Sequence, residues 1–214
     1  MYSLNPIRVG AVAAILAGVF IAGHGIPTMF DGTPRDLNSP AHFLMMESIF
    51  GAGYAALLIL FVSFLRLRTG RGTNVCGRLG RVGAYAGVLG SVCIIVKTLL
   101  IVVLGATFGT QAVKDIMVVL GALYMAGTLF SSLLAPVLLG IDTLRIRVLP
   151  RWFGLTLVIV PLALLIVQLI SSTLAGYTPY VEGPFWIVIG YGLWSYGRSV
   201  ETGRPTQPQP AVAE

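Results

Sequence analysis

Charge is scarce in this 214-residue chain: only 10% of its residues are Asp, Glu, Lys or Arg, against 56% hydrophobic. That shortage excludes an ordinary soluble domain, in which about a quarter of residues are charged. Histidine and cysteine are scarcer still, at two each. Cys76 falls in a basic segment between hydrophobic runs, whereas Cys93 lies about 16 Å into the following run at helical rise, so the two cannot reach disulfide geometry. Neither belongs to a CxxC pair, and no Cys/His cluster has zinc spacing. There is no Ser/His/Asp set, acidic metal cluster, GxSxG elbow or nucleotide-binding loop. An enzyme is therefore the less expected reading.

What is present is hydrophobic length. Six apolar runs, at about 8–26, 40–65, 82–107, 116–140, 152–172 and 183–198, each approach the roughly 20 residues a helix needs to cross about 30 Å of hydrocarbon. The expected fold is therefore all-α: a polytopic membrane protein with a six-span bundle over residues 1–198 and a disordered cytoplasmic tail over 199–214, where GRPTQPQPAVAE is rich in Pro and Gln. The start, MYSLNPIRVG followed by AVAAILAGVFIAG, mimics a secretory signal but is expected to remain as the first span.

The cations set the orientation. Eleven of the 14 fall on one side of the six runs: Arg8; Arg66, Arg68, Arg71, Arg78 and Arg81; Arg145, Arg147 and Arg151; Arg198 and Arg204. Arg35 and Lys114 lie in loops of the opposite side, and Lys97 lies within a run. Because Lys and Arg in short loops stay cytoplasmic, both termini are expected there, in a bacterial inner membrane. The dense basic loop RLRTGRGTNVCGRLGR lacks the interleaved aromatics of a nucleic-acid stacking platform, so its expected partners are anionic lipid headgroups and not nucleic acid.

Internal similarity adds a candidate architecture. RVGAVAAILAG at 8–18 aligns without gaps to RVGAYAGVLGS at 81–91, and FGAGY at 50–54, LGALY at 120–124 and IGYGL at 189–193 recur on the even runs. Three helical hairpins of about 70 residues account for this; so does convergent use of a leading arginine and small packing residues. In the repeat frame His24, Lys97 and Gln168 stand 16 or 17 residues beyond Arg8, Arg81 and Arg151, about 24–26 Å along each helix.

Lys97 is the anomaly, a lysine inside SVCIIVKTLLIVVLG at 91–105. A charge at such depth costs about 2.5–3.5 kcal/mol on insertion scales, so it needs a partner or a use. Ser39-Pro40 reads as an N-cap with Pro at the first helical position, which places Glu47 about two turns into the second span as a possible counter-ion. The rival is snorkelling of the ammonium toward the outer headgroups. Small-residue faces, Gly10, Ala14, Gly18 and Ala22 on the first span and Ala86, Gly90 and Cys93 leading to Lys97 on the third, favour an inward lysine, and Tyr124 heads a comparable face with Thr128, Ser131 and Ala135 on the fourth.

The candidate polar cluster is thus His24, Glu47, Lys97, Tyr124 and Gln168, in the outer half of the membrane. Two uses are open: a small-molecule binding or transport site, with Pro136, Pro161 and Pro184 available to interrupt helices beside it, or structural glue in a bundle that also serves as a partner subunit. A membrane redox protein with haem or metal on His24 and His42 is the alternative; otherwise no cofactor is expected. A retinal Schiff base on Lys97 does not suit the helix count.

RIRVLPRWFGLTLVIVPLALL at 145–165, preceded by TLFSSLLAPVLLG at 128–140 and followed by GLWSYGRS ending at Ser199, resembles a group of bacterial six-helix inner-membrane proteins with an LPRW-type hinge. The resemblance implies an inner-membrane bundle. That group has no assigned activity, so no catalytic residue carries over.

Overall fold

A computed structural model describes residues 6–30, 40–66, 77–146, 149–170 and 178–201, and among these there is no strand. Ser39, Cys76, Arg35, Arg68, Arg71, Arg147 and the tail from 202 onward lie outside the described residues. The helices are α1 (Pro6–Phe30), α2 (Pro40–Arg66), α3 (Arg78–Phe108), α4 (Thr110–Asp115), α5 (Met117–Thr128), α6 (Ala135–Ile146), α7 (Arg151–Ile170) and α8 (Thr178–Glu201). A π-helical segment, Leu129–Leu134, joins α5 to α6 without a break.

Five stretches are long and apolar enough to cross a membrane: Pro6–His24, Ala41–Arg66, Arg78–Phe108, Met117–Ile146 and Arg151–Ile170. The last expected run belongs to α8, which starts at Thr178 rather than 183 and continues to Glu201, past the expected tail boundary. Two glutamates, an arginine, four glycines and two prolines dilute its apolar character below that of the other five.

Neighbouring helices run antiparallel, and glycine sets how closely they approach. Gly10 lies on Ser63 and Gly53 on Ile21, joining α1 to α2; Gly51 meets Thr98 and Gly87 meets Phe61, joining α2 to α3. Gly90 faces the backbone at Gly127 and Ser131, where an added Cβ would stand 2.5 Å from the Ser131 nitrogen. Gly140 and Gly154 face each other between α6 and α7, and Gly18 meets Gly183 while Gly190 meets Ala11 and Ile15, which lays α8 antiparallel along most of α1. Around the bundle the order is therefore α8, α1, α2, α3, α5/α6, α7, with α7 touching α8 again. Tyr54, Phe61 and Trp186 fill the centre, all but inaccessible, with Phe61 and Trp186 in an edge-to-face contact.

This alternation puts Arg8, Arg66, Arg78, Arg81, Arg145, Arg151 and Arg198 at one end of the bundle and Lys97 and Lys114 toward the other. At the arginine end the Asp142 carboxylate accepts the Gly77 N–H at 2.7 Å, satisfying a backbone donor ahead of α3.

Prolines behave differently from expectation. α7 and α8 continue through Pro161 and Pro184 without interruption. Pro136 instead follows the π-helical segment directly. A proline ring collides with the carbonyl four residues back and supplies no N–H, and a wider turn relieves both defects.

At the other end α3, 31 residues and about 46 Å long, overshoots the hydrocarbon thickness. Gly109 then takes φ +79°, a left-handed value open to glycine, and the chain turns into α4. Val113 of α4 packs with Ile101 of α3 and Leu120 of α5 in a small apolar cluster separate from the main core.

Candidate functional site

The face of α2 that carries Glu47, Phe50 and Tyr54 follows from their i, i+3, i+7 spacing. Across from it α3 presents Lys97, 8% exposed. The Lys97 ammonium donates to Glu47 Oε2 at 2.5 Å, and Glu47 is 3% exposed, so both charges are out of solvent and paired. Snorkelling does not describe this lysine, whose ammonium turns into the bundle. It also lies 5.4 Å from the centre of the Phe50 ring and 5.6 Å from that of Tyr124, within the range of cation–π attraction. A desolvated ammonium thus has an anion and two aromatic faces in place of water.

His24 completes the junction from α1. Its Nδ1–H donates to the Met46 carbonyl at 3.0 Å, and its ring packs against Phe50 with 4.7 Å between centroids. A carbonyl only accepts, so this contact sets which ring nitrogen carries the proton. The imidazole is 5% exposed.

These side chains open onto one cavity of about 360 Å³. His24, Glu47, Lys97 and Tyr124 form its polar wall; Phe43, Phe50, Ile101, Met117 and Leu120 supply most of the rest. α5 contributes through Met117, Leu120, Gly121 and Tyr124, which share one face at i, i+3, i+4 and i+7. α4 closes the outer side with Val113 and Lys114, and Pro179 borders it from α8.

Four of the five candidate residues therefore line one cavity, and Gln168 does not. It is exposed on α7 and donates from Nε2 to Thr178 Oγ1 at 3.1 Å. The reason is lateral order: α7 packs chiefly on α6, across the bundle from the α1–α2–α3 junction, so equal depth along the helix does not bring Gln168 to the cavity. His42 is exposed on the first turn of α2 and is not part of the cavity wall, so the cavity does not unite the two histidines proposed for haem or metal. Among the described residues no group of three or more His, Cys, Asp or Glu side chains is placed to hold a metal ion.

A second buried polar group escaped the sequence reading. Glu182 on α8 accepts from Ser132 Oγ at 2.7 Å and from the Trp186 indole N–H at 3.4 Å, while Tyr54 and Ser132 hydroxyls meet at 3.2 Å. It joins α2, the π-helical segment and α8. Placing the start of the last span at 183 left Glu182 in a loop; Thr178-Pro179, a hydroxyl residue followed by proline, was the available sign of an earlier helix start. Lys114, assigned to an outer loop, was likewise missed as part of the cavity wall.

Comparison with known proteins finds no matching family model, no similar curated protein and no similar solved structure.

Proposed function

We propose that this chain is a six-span protein of a bacterial inner membrane, with both termini cytoplasmic, that binds a small molecule in the outer half of its bundle. α8 counts as the sixth span because it lies antiparallel along α1, itself long and apolar enough to cross; 24 residues reach about 36 Å. The arginine-rich end is the cytoplasmic one by the bias of short loops toward retained cations. The LPRW-type resemblance in the second half agrees with this placement.

The observation that carries the binding reading is the cavity itself. Its volume lies in the range of small-molecule sites, it is mainly apolar, and a few polar groups converge on one wall. Structural glue alone is served by the buried cluster at Glu182, which holds three helices together without facing this cavity. The competing structural reading rests on a specific observation too: Lys97–Glu47 and His24–Met46 tie α1, α2 and α3 together.

Gly121 separates the two. It lines the cavity, and a Cβ built there meets nothing within 4 Å, so the side chain of Gly121→Phe leaves the backbone without a clash at its first atom and adds bulk on a cavity-lining position. A thermal-shift screen of small molecules against the purified wild type should yield stabilising compounds that lose their effect on this variant. A screen in which the same compounds stabilise both proteins equally, or in which none stabilises the wild type while Gly121→Phe itself raises the melting temperature, favours the structural role.

A further inference from the structure

The chain has only two lysines against twelve arginines, and both face the cavity. Lys97 is neutralised by Glu47. Lys114, on α4, meets no partner for its ammonium among the described residues, and the nearby Asp115 accepts instead from Gln111 at 3.1 Å. Among the described residues that line it, one carboxylate stands against two ammonium groups, a surplus of positive charge on the Lys114 side. The Lys97 ammonium has three N–H donors, of which Glu47 takes one. Beside these charged groups the wall is apolar and aromatic, through Phe43, Phe50, Ile101 and Leu120.

We propose that the cavity takes a single-chain amphiphilic carboxylate: the anionic head against Lys114, within reach of the Lys97 donors, and the apolar body against Phe50, Ile101 and Leu120. This deepens the binding reading above and rests on it. The charge argument excludes a cationic ligand, for which Lys114 is a repulsive contact, and the apolar wall gives a bare inorganic anion nothing to bury. A volume of about 360 Å³ fits one short chain and not a two-chain lipid. The Gly109 turn is part of the device, since the left-handed residue between α3 and α4 brings Lys114 to the rim.

The test uses the full chain in nanodiscs of zwitterionic lipid and radiolabelled decanoate as probe. Saturable binding is expected, displaced by unlabelled decanoate and not by equal concentrations of decanol or decyltrimethylammonium. Lys114→Gln should weaken it about ten- to a hundredfold, the scale of one charge-assisted hydrogen bond, and Lys114→Arg should restore most of it. Gly121→Phe should abolish it. Equal displacement by decanol, with Lys114→Gln unchanged and Gly121→Phe still inactive, overturns the carboxylate while leaving a small-molecule site. Binding that survives Gly121→Phe, or saturable binding by none of the three probes, overturns the carboxylate ligand; only the former, or a failed compound screen, removes the cavity as a site. Discs containing phosphatidylglycerol distinguish the source of the anion: decanoate binding should persist there, and its loss would assign the rim to a bilayer headgroup instead.

Discussion

Removing one partner of the Lys97–Glu47 pair is the sharpest perturbation available in this protein. Both groups are almost fully buried and their polar atoms stand 2.5 Å apart, which puts them outside the class of exposed ion pairs worth about 0–1 kcal/mol. In Lys97→Met the methionine keeps most of the apolar stem but leaves the Glu47 carboxylate without its donor. In Glu47→Gln the ammonium keeps only Phe50, Tyr124 and a neutral amide around it. Each single change should destabilise by about 3–5 kcal/mol, the cost of an uncompensated buried charge. The double variant contains neither charge, so its loss should be far below the sum. Reversible unfolding in mixed detergent micelles, carried out on all four proteins, gives the coupling energy. A value within about 0.5 kcal/mol of zero means additivity and refutes the pairing, because sites that do not interact add to within that margin.

Other expectations follow from the packing and the topology. Gly90→Leu should destabilise strongly, by at least about 1–3 kcal/mol, since its Cβ would stand 2.5 Å from the Ser131 nitrogen; unchanged thermal unfolding would show that α3 and the π-helical segment are farther apart. Glu182→Ala should cost about 1–3 kcal/mol by leaving Ser132 and Trp186 without their acceptor, and Glu182→Gln distinctly less, both read by the same unfolding assay. Gly109→Val should cost about 1–3 kcal/mol from φ +79° alone, as the added Cβ meets nothing; a neutral result would mean the turn relaxes to negative φ. In a cysteine-free background, Gln111→Cys should label with an impermeant maleimide on intact cells and Arg66→Cys only after permeabilisation, the reverse pattern inverting the orientation.

Helix positions were legible because burial in lipid leaves apolar runs in the sequence, and α2 and α7 begin and end within two residues of those runs. The Lys97–Glu47 contact was legible for a related reason: a lysine amid apolar residues demands an anion, and few carboxylates stand at matching depth. Lateral order leaves no comparable trace. Depth along a helix follows from counting residues, but which helices are neighbours depends on the fit of small residues such as Gly18 on Gly183, and a glycine in the sequence does not name its partner. Gln168 was misassigned on that account. Glu182 was lost to a boundary error of five residues, enough to move a buried acid into a loop.

The π-helical segment has a bearing on how the fourth hydrophobic run is built. A π turn accommodates one residue more than an α turn, so the helix leaves Leu134 about 100° out of phase with a continuous α-helix entering at Leu129. Tyr124, Thr128, Ser131 and Ala135 look like one stripe in the sequence, yet Ser131 and Ala135 are fully buried while Tyr124 is 42% exposed and borders the cavity. The run behaves as two rotors on one shaft: the lower is keyed to α3 and α7 by Gly83 and Gly140, the upper aims the Tyr124 ring at Lys97, and the extra residue sets the angle between them.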